Sequence, residues 1–168
     1  GKTGTTFRFA NVDELFGWDA QFNPVFAGDL KPQHGRTSEL GVGVTIGSAK
    51  LRAAWYQLDL TDEIGYDAAL ARNVNFVPTR RQGGEIEADW KLPAGWSLNA
   101  SYTYTDARFR SGTYVGRTVP LVPRQQGSIQ LAWDARQNGR YSAMVRHVGE
   151  RRFGSDFENA HGMLASYT

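Results

Sequence analysis

Cysteine is absent from this chain of 168 residues. Its absence excludes disulfides, cysteine-based zinc sites and thiol nucleophiles together, and it is compatible with any cellular compartment. Long apolar runs are absent too, since no stretch approaches the roughly 18 to 20 consecutive apolar residues that a transmembrane helix requires. The net charge of +2 says little about partners. Any crossing of a membrane must therefore use strands, whose hydropathy signal is weak.

Motifs for catalysis and for resident metals are also scarce. No Gly-x-Ser-x-Gly elbow occurs, and the glycine-rich stretches lack the Lys-Ser/Thr ending of a phosphate-binding loop. His34, His147 and His161 fall in different predicted elements, which favours surface histidines over a three-histidine metal site. The acids at 85–89 alternate on one strand and are better explained as a water-facing surface than as acid–base catalysts. The sequence thus predicts no enzyme, no catalytic or metal-binding residue and no cofactor.

What the sequence does contain is a strict alternation of apolar and polar residues. Between Trp96 and Thr105, Trp, Leu, Ala, Tyr and Tyr alternate with Ser, Asn, Ser, Thr and Thr. A period of two is typical of a β-strand with two unlike faces. An aromatic-rich apolar face opposite small hydroxyl and amide side chains is the pattern of a membrane barrel wall, with lipid outside and water within.

The same alternation predicts the other strands. The predicted strands cover 37–46, 50–61, 81–92, 96–107, 125–134, 140–149 and the residues from 162 onward. Residues 1–36 are expected to hold a strand end and an external loop. The facing of the strand at 50–61 stays open between a bulge and an apolar patch in the lumen, because Leu51 and Trp55 lie opposite Tyr56 and its apolar neighbours.

Short and long connections alternate between these strands without exception. The short ones lie at 47–49, 93–95 and 135–139, and the long ones at 62–79, 108–123 and 150–161. Bacterial outer-membrane barrels place their short turns at the periplasmic side and their long loops outside the cell. The sequence therefore predicts an all-β, antiparallel up-and-down transmembrane β-barrel in the bacterial outer membrane, of which this chain holds about seven to eight strands.

The positions of the aromatic residues agree with this orientation. Trp90, Trp96 and Trp133 lie beside the short turns, while Tyr102 and Tyr104 lie toward the opposite end of their strand. Amphipathic rings prefer the headgroup level, so these residues would form two interfacial girdles. Packing inside a sandwich core is the alternative for the aromatics alone.

One end of the predicted array is strongly cationic. Eight arginines lie in or beside the long loops: Arg80, Arg81, Arg108, Arg110, Arg117, Arg124, Arg151 and Arg152. At a cell surface they would meet outer-membrane lipid and anionic lipopolysaccharide, or steer anionic ligands toward the mouth. A solvated loop surface is the alternative for any single arginine. For an anionic metal chelate, the best candidates are Arg108, Arg110, Tyr114, Arg151 and Arg152, because guanidinium groups match carboxylate and catecholate oxygens and aromatic rings stack on flat ligands.

An ordered series of motifs resembles the barrel of TonB-dependent outer-membrane receptors. The series runs through Phe7-Arg8, Glu14-Leu15-Phe16, Leu30-Lys31-Pro32-Gln33, Glu39-Leu40-Gly41, the stretches 81–87, 102–107 and 119–124, and Asp156 with Asn159 before Ser166-Tyr167-Thr168. Each motif is weak alone, but the series covers nearly the whole chain. It departs from the family where Phe-Arg-Ala-Pro is common, since Phe9 follows Arg8 here, and where Glu often follows Lys-Pro, since Gln33 stands there.

The resemblance implies a barrel of about twenty-two strands that is filled by an amino-terminal plug and energised by the TonB complex. Residues 1–168 would be a partial carboxy-terminal portion of that barrel, without the plug and the final strands. The implied function is import of a scarce nutrient, with a ferric siderophore or a similar metal chelate as the expected ligand and the acids at 85–89 wetting the lumen or pairing with plug arginines. No nucleic-acid partner is expected.

Two other classes remain open on the residues alone. A small structural or adhesion barrel of about eight strands would nearly fit the strand count, but its closing strand is missing. A soluble β-sandwich that binds a sugar or a protein would use the short strands and the tryptophans. A β-sandwich, however, does not explain why the long loops carry the arginines and alternate with short loops.

Overall fold

The structure, a computed structural model, describes residues 1–18, 23–67, 70–135 and 139–168. Strands dominate it: β1 (Lys2–Arg8), β2 (Phe16–Trp18), β3 (Pro24–Phe26), β4 (Gln33–Ile46), β5 (Ala49–Thr61), β6 (Glu63–Asp67), β7 (Arg72–Phe76), β8 (Thr79–Lys91), β9 (Trp96–Phe109), β10 (Gln125–Asp134), β11 (Arg140–Val148), β12 (Arg151–Arg152) and β13 (Met163–Leu164). A single helical turn, α1 (Val12–Leu15), and a 3-10 turn (Pro93–Gly95) are the helical elements of this part of the chain. No helix in the described ranges is long and apolar enough to cross a membrane.

Seven strands form one antiparallel sheet in the order β1-β4-β5-β8-β9-β10-β11. Neighbouring strands are paired residue for residue along the whole of each ladder. The three short pairs, β2 with β3, β6 with β7 and β12 with β13, lie within the long connections. The predicted all-β, antiparallel up-and-down architecture is therefore confirmed.

The sheet has an apolar face and a polar face. One row of register partners on the apolar face crosses four strands as Val42, Ala53, Ile86 and Tyr102. The large side chains of this face are exposed, as the 71% exposure of Val42 illustrates. A sheet that presents rows of exposed aliphatic and aromatic side chains on one side is the lipid-facing wall of a barrel. The opposite face is lined mostly by the polar residues of the alternation, with Leu58 and Leu60 of β5 as apolar exceptions.

The facing of β5, which the sequence leaves open, follows this pattern. Trp55 pairs with Leu40 on the apolar face. Tyr56 lies on the polar face, where its phenolic oxygen is 2.6 Å from Oγ1 of Thr105. Gly83 of β8 lies between these two residues in the register, and a Cβ there would overlap the Tyr104 carbonyl oxygen and lie 2.9 Å from the Tyr56 oxygen. The absence of a side chain at Gly83 is what lets Tyr56 reach across β8.

Aromatic residues collect at both ends of the apolar face. Near the short turns, Trp133 stacks on Trp96 and on Tyr141, with ring centroids 5.7 and 5.9 Å apart. Trp133 also donates its indole hydrogen to a backbone oxygen of the adjacent 3-10 turn at 3.1 Å. Tyr102 and Tyr104 lie further along β9, toward the long connections. This distribution matches the predicted girdles.

The short connections are built as tight turns. β4 and β5 are joined by two residues, Gly47 and Ser48. Gly47 has a φ of +58°, in the left-handed region that glycine enters without steric cost. Hairpin turns of two residues require such angles because their twist must match that of the flanking strands.

Strand ends differ from the prediction on the side of the long connections. β4 begins at Gln33, β8 at Thr79, and β9 continues to Phe109. The added residues of β4 and β8 carry polar side chains on both faces, so the apolar alternation that marks a strand is lost there although the ladder continues. The predicted loop at 62–79 likewise contains the β6–β7 hairpin.

The prediction of a wall strand from residue 162 is wrong at its start. Met163 and Leu164 pair with β12, outside the main sheet. Contact with the sheet begins at Tyr167, which exchanges two backbone hydrogen bonds with Val148 of 2.9 and 3.0 Å.

Candidate ligand-binding mouth

All the long connections lie at one end of the sheet. They are 9–32, 62–78, 110–124 and 149–166, whereas the connections 47–48, 92–95 and 135–139 lie at the other end. Residues 136–138 of the last turn lie outside the described part of the chain. The alternation of short and long connections is thus confirmed, and the long set defines the candidate mouth.

An aromatic cluster joins three of these long connections. Phe109, at the end of β9, is 1% exposed and lies under Phe76 and Phe157, with ring centroids 6.4 and 6.1 Å away. Tyr114 packs against Phe109 at 5.8 Å and against Phe157 at 5.5 Å. Val119 is buried in the same cluster. Edge-to-face ring pairs of this kind stabilise a core beyond the area they bury, so the three connections pack as one body, which we call the loop block.

Asn159 fastens two connections of the loop block together. Its Oδ1 accepts a hydrogen bond from the Thr118 amide at 2.7 Å, and its Nδ2 donates to the Thr118 carbonyl at 3.0 Å. A side-chain amide can imitate a strand partner in this way, because it offers one donor and one acceptor side by side. The Leu121 amide adds a bond to the Arg152 carbonyl at 3.1 Å.

Asp156 organises the turn that presents Asn159. It is 5% exposed, and its carboxylate accepts hydrogen bonds from the Ala160 amide at 2.9 Å and from Nδ1 of His161 at 3.2 Å. Burial alone would raise the pKa of Asp156, but the hydrogen bonds from the His161 ring and the backbone amides outweigh it and hold that pKa below its usual range. The charged form is therefore part of the folded loop.

The first long connection, 9–32, is tied to the loop block in the same manner. Asn75 of β7 donates to the carbonyls of Lys31 and Asp62 at 2.9 and 2.8 Å, and its oxygen accepts from the Lys31 amide at 2.8 Å. Glu63 of β6 receives the Arg81 guanidinium at 2.5 Å. The β6–β7 hairpin is consequently held against both its own wall strands and the preceding connection.

The structure divides the five predicted ligand residues between two surfaces. Tyr114, Arg151 and Arg152 belong to the loop block. The Arg151 guanidinium lies 5.4 Å from the Tyr167 ring centroid, and its Nη1 has no acceptor among the residues described. Nη1 of Arg152 donates to the His161 carbonyl at 2.6 Å. These three side chains border the loops but do not converge on one point.

Arg108 and Arg110 lie elsewhere. β9 extends past its predicted end, so Arg108 has the same facing as Tyr102 and Tyr104 and points to the apolar side of the sheet. Its Nε donates to the Asp106 carboxylate at 2.9 Å and its Nη1 to the Gly116 carbonyl at 3.0 Å. Arg110 is exposed just beyond β9 and is close enough to Asp59, on the same side, to interact with its charge.

The acids of β8 lie on the polar face, as the alternation predicts. Glu87 accepts from Nε of Arg52 at 2.8 Å, and Asp89 accepts from Nη2 of the same side chain at 3.2 Å and from the Asn99 amide at 2.5 Å. The carboxylates are thus partnered along the sheet and are not arranged as an acid–base pair. In the described ranges no three side chains of the metal-ligating types come close enough to hold a metal ion.

Sequence reasoning missed Phe76 and Phe157 in the loop block, and it named Asn159 only within a motif series, without inferring its contacts. Phe76, Phe157 and Asn159 carry its packing and its hydrogen bonds, but none stands in an alternating pattern. The available signal was the occurrence of Asp156 and Asn159 in one loop, since Asp and Asn stabilise irregular backbone through their side chains.

A cleft of ≈240 Å³ opens in the loop block beside Tyr114 and His161. Its lining also includes Asp67, Asp156 and Glu158. Carboxylates at that density repel an anion. An anionic ligand at this mouth would therefore contact the arginines on the loops and not this cleft.

Comparison with known proteins places the chain in a family. A family model described as "TonB dependent receptor-like, beta-barrel" matches residues 1–168. The ferrioxamine B receptor of Salmonella typhimurium (strain LT2) is 27% identical over an alignment of 180 positions that covers 99% of this chain and 25% of the receptor. The ferrichrome outer membrane transporter/phage receptor of Escherichia coli K12 is 28% identical over an alignment of 170 positions that covers 93% of this chain and 22% of that protein.

Solved structures share the fold. The ferric yersiniabactin uptake receptor of Yersinia pestis superposes with a TM-score of 0.69 at 22% identity, over 98% of this chain and 25% of its own. The copper transporter OprC gives a TM-score of 0.67 at 19% identity, over 98% and 26%. The chain spans about a quarter of the length of these proteins. With its register, its two unlike faces and its sorted connections, this chain belongs to the β-barrel family of TonB-dependent receptors, which lies in the outer membrane of Gram-negative bacteria.

Proposed function

We propose that this chain is a wall segment of a receptor that binds a scarce anionic metal chelate, in particular a ferric siderophore, and imports it with energy from the TonB complex. In this proposal the plug and further strands belong to the complete receptor, and the segment performs no catalytic step. The observation that carries the proposal is the family match over the whole chain. Relatives named as a ferrioxamine B receptor and a ferrichrome transporter support the ligand class.

For contact with the chelate we retain Tyr114, Arg151 and Arg152. All three border the loop block, and the half-buried Arg151 side chain lies beside the Tyr167 ring. Guanidinium donors match the carboxylate or catecholate oxygens of such ligands. Arg108 and Arg110 are assigned to a different surface, since Arg108 points away from the polar face.

Binding of ferric siderophores to the complete receptor in detergent tests this function, with quenching of tryptophan fluorescence as the signal. A panel should include a hydroxamate and a catecholate chelate, each with and without iron. Replacing Arg151 with Gln removes a donor without removing the bulk of the side chain, and Arg146→Gln on the polar face of β11 is the matched control. We expect weaker quenching in Arg151→Gln alone.

The outcomes separate the parts of the proposal. Siderophore binding that is equal in Arg151→Gln and the control would leave the function and reject the residue. A folded barrel that quenches with no member of the panel would reject the siderophore as the ligand.

A further inference from the structure

The first long connection exposes an aromatic surface. Its β2–β3 pair sets Phe16 opposite Phe26 and Trp18 opposite Pro24, and the alternation of a strand puts these four side chains on one face. The three aromatic side chains are between 57% and 65% exposed. A contiguous patch of large apolar side chains usually marks a contact site. We call this surface the aromatic face.

The opposite face of the β2–β3 pair is turned toward the rest of the molecule. Gly17 and Val25 occupy that face, and both are half-buried. Ala27, directly after β3, is buried, and its amide donates to the Leu15 carbonyl of α1 at 2.7 Å. The pair is therefore anchored from one side, and the aromatic face points away from that anchor.

The rings of the aromatic face are held in place by their own contacts. The centroids of Phe16 and Phe26 are 5.0 Å apart, with an angle of 33° between the ring planes. The Phe26 ring also lies directly against Gly28, where a Cβ would overlap it. Rings that are fixed in advance lose little side-chain entropy when a second apolar surface covers them. The aromatic face is thus preorganised for a partner.

The contacts of the first connection leave one of its flanks open. On the side of β5 and β8 it is bound to the connection 62–78, where Asn73 donates to the Glu14 carbonyl at 3.0 Å and Arg72 pairs with Asp29 at 3.4 Å. The other flank lies at β1, the edge strand of the seven-stranded sheet. Within the described ranges β1 pairs with β4 alone. A strand in a membrane barrel needs a partner on each edge, because lipid cannot satisfy its backbone groups.

The up-and-down order identifies the neighbour that completes this edge. β1 runs toward the long connections, so the antiparallel strand at its free edge runs away from them and follows a long connection of its own. The match to the ferrioxamine B receptor covers 25% of that receptor, so a protein of this family has further strands for the edge. The long connection before that strand would flank the first connection, as 62–78 does on the opposite side.

We propose that the aromatic face is the docking surface for the long connection that precedes β1 in the complete receptor. Aliphatic or aromatic side chains of that connection cover Phe16, Trp18 and Phe26, each of which can remove about 150–250 Å² from water. The aromatic cluster of the loop block joins neighbouring connections by the same chemistry. The proposal rests on the part of the proposed function that assigns further strands to the complete receptor, and it is independent of the chelate.

Photo-crosslinking of the complete receptor in outer-membrane vesicles tests the docking. The probe is Trp18→p-benzoylphenylalanine, and mass spectrometry of the digested product identifies the peptide that it captures. We expect the peptide to come from the long connection that precedes β1. The matched control is Tyr66→p-benzoylphenylalanine, at a similarly exposed aromatic residue of the connection 62–78, which should not capture that peptide.

Hydrogen exchange tests whether the contact holds the partner connection in place. Phe16→Ala with Phe26→Ala truncates two rings of the aromatic face, and exchange in the preceding connection should accelerate about tenfold or more. Tyr66→Ala is the control and should leave that exchange unchanged. The heat-dependent gel mobility of a folded barrel verifies each variant. Siderophore quenching is measured on the same proteins, so a failure of the proposed function is seen separately from a failure of the docking.

Several results would overturn the proposal. Capture of lipopolysaccharide, of a second copy of the receptor or of another part of the chain by the probe at Trp18 would assign the aromatic face to a different partner. Absence of any crosslink would leave the face in water. Equal capture of the preceding connection from Tyr66, or unchanged exchange in the folded double alanine variant, would show that the aromatic face does not hold that connection.

Discussion

The phenolic oxygen of Tyr56 and Oγ1 of Thr105 are 2.6 Å apart although 49 residues separate them in the chain. They belong to β5 and β9, and the bond between them crosses β8 at Gly83. The hydrogen bond thus ties β5 to β9 across β8 on the polar face. The arrangement depends on a glycine at one position.

Substitution of Gly83 by alanine should destabilise the barrel by about 1–3 kcal/mol, the usual cost of forcing an extra methyl into a packed site. The added Cβ would overlap the backbone carbonyl oxygen of Tyr104 and would also lie 2.9 Å from the Tyr56 oxygen. Gly84→Ala is the control, because its Cβ would meet its nearest atom at 3.4 Å. Urea unfolding of the complete receptor in detergent measures both, and equal midpoints would contradict the role assigned to Gly83.

Loss of the Asn159 side chain should loosen the loop block while the wall stays intact. Asn159→Ala removes the two hydrogen bonds to Thr118, at about 1 kcal/mol each. Hydrogen exchange at the Thr118 amide should accelerate by one to two orders of magnitude, about the factor that this energy corresponds to. Glu158→Ala, at an exposed neighbouring position, is the control. Unchanged protection at Thr118 would show that the aromatic cluster alone holds the loops.

The stability of the loop block should fall in acid. The pKa of Asp156 is held below its ordinary value of 3.8 in the folded loop, so folding favours the ionised carboxylate. That contribution is complete above the unfolded pKa of about 3.8 and is lost as the pH drops through the lower folded value. Limited proteolysis of the loops between pH 6 and pH 2.5 should show the change. The loop block of the Asp156→Asn variant should be less stable than that of the unmodified protein across this pH range, and it should lose less stability in acid. Asp13→Asn should behave as the unmodified protein does.

The stacked aromatics near the short turns should contribute measurably to stability. Trp133→Ala removes two ring contacts, at 5.7 and 5.9 Å, and should cost about 2 kcal/mol. Trp90→Ala is the control, since Trp90 has no ring partner within the described residues and is about half exposed. Thermal unfolding in detergent compares the two. A Trp90 variant as unstable as the Trp133 variant would mean that contact with the apolar phase, and not stacking, provides the stability.

The sequence predicted the sheet best where the wall is apolar on one side only. From Trp96 to Thr105 each residue alternates in polarity, so strand and facing could both be inferred. Beyond Thr105 the facing of the side chains could not be inferred. Asp106, Arg108 and Arg110 are all polar, so their polarity does not tell which face of the sheet each one occupies. Ending β9 at residue 107 put Arg108 in a loop, whereas its position in the ladder turns it toward the membrane side.

The loop block could not be predicted for a different reason. Phe109 ends β9, whereas Phe76 and Phe157 come from two separate connections, and nothing periodic in the sequence relates the three. Their contact depends on how long connections fold back over the sheet, which is a property of tertiary packing. The cationic character of the loops could be predicted, but its division between a lumen side and a membrane side required the register.

The tight turns bear on how this sheet is assembled. β4 with β5, β8 with β9, and β10 with β11 are each closed by two to five residues, so their partners are near one another even in the unfolded chain. Closing such short segments costs little chain entropy, whereas β5 with β8 and β9 with β10 must first close connections of 17 and 15 residues. We therefore expect three hairpins to form first, starting at their turns, and then to pair side by side into the sheet. β1 joins the sheet by pairing with β4.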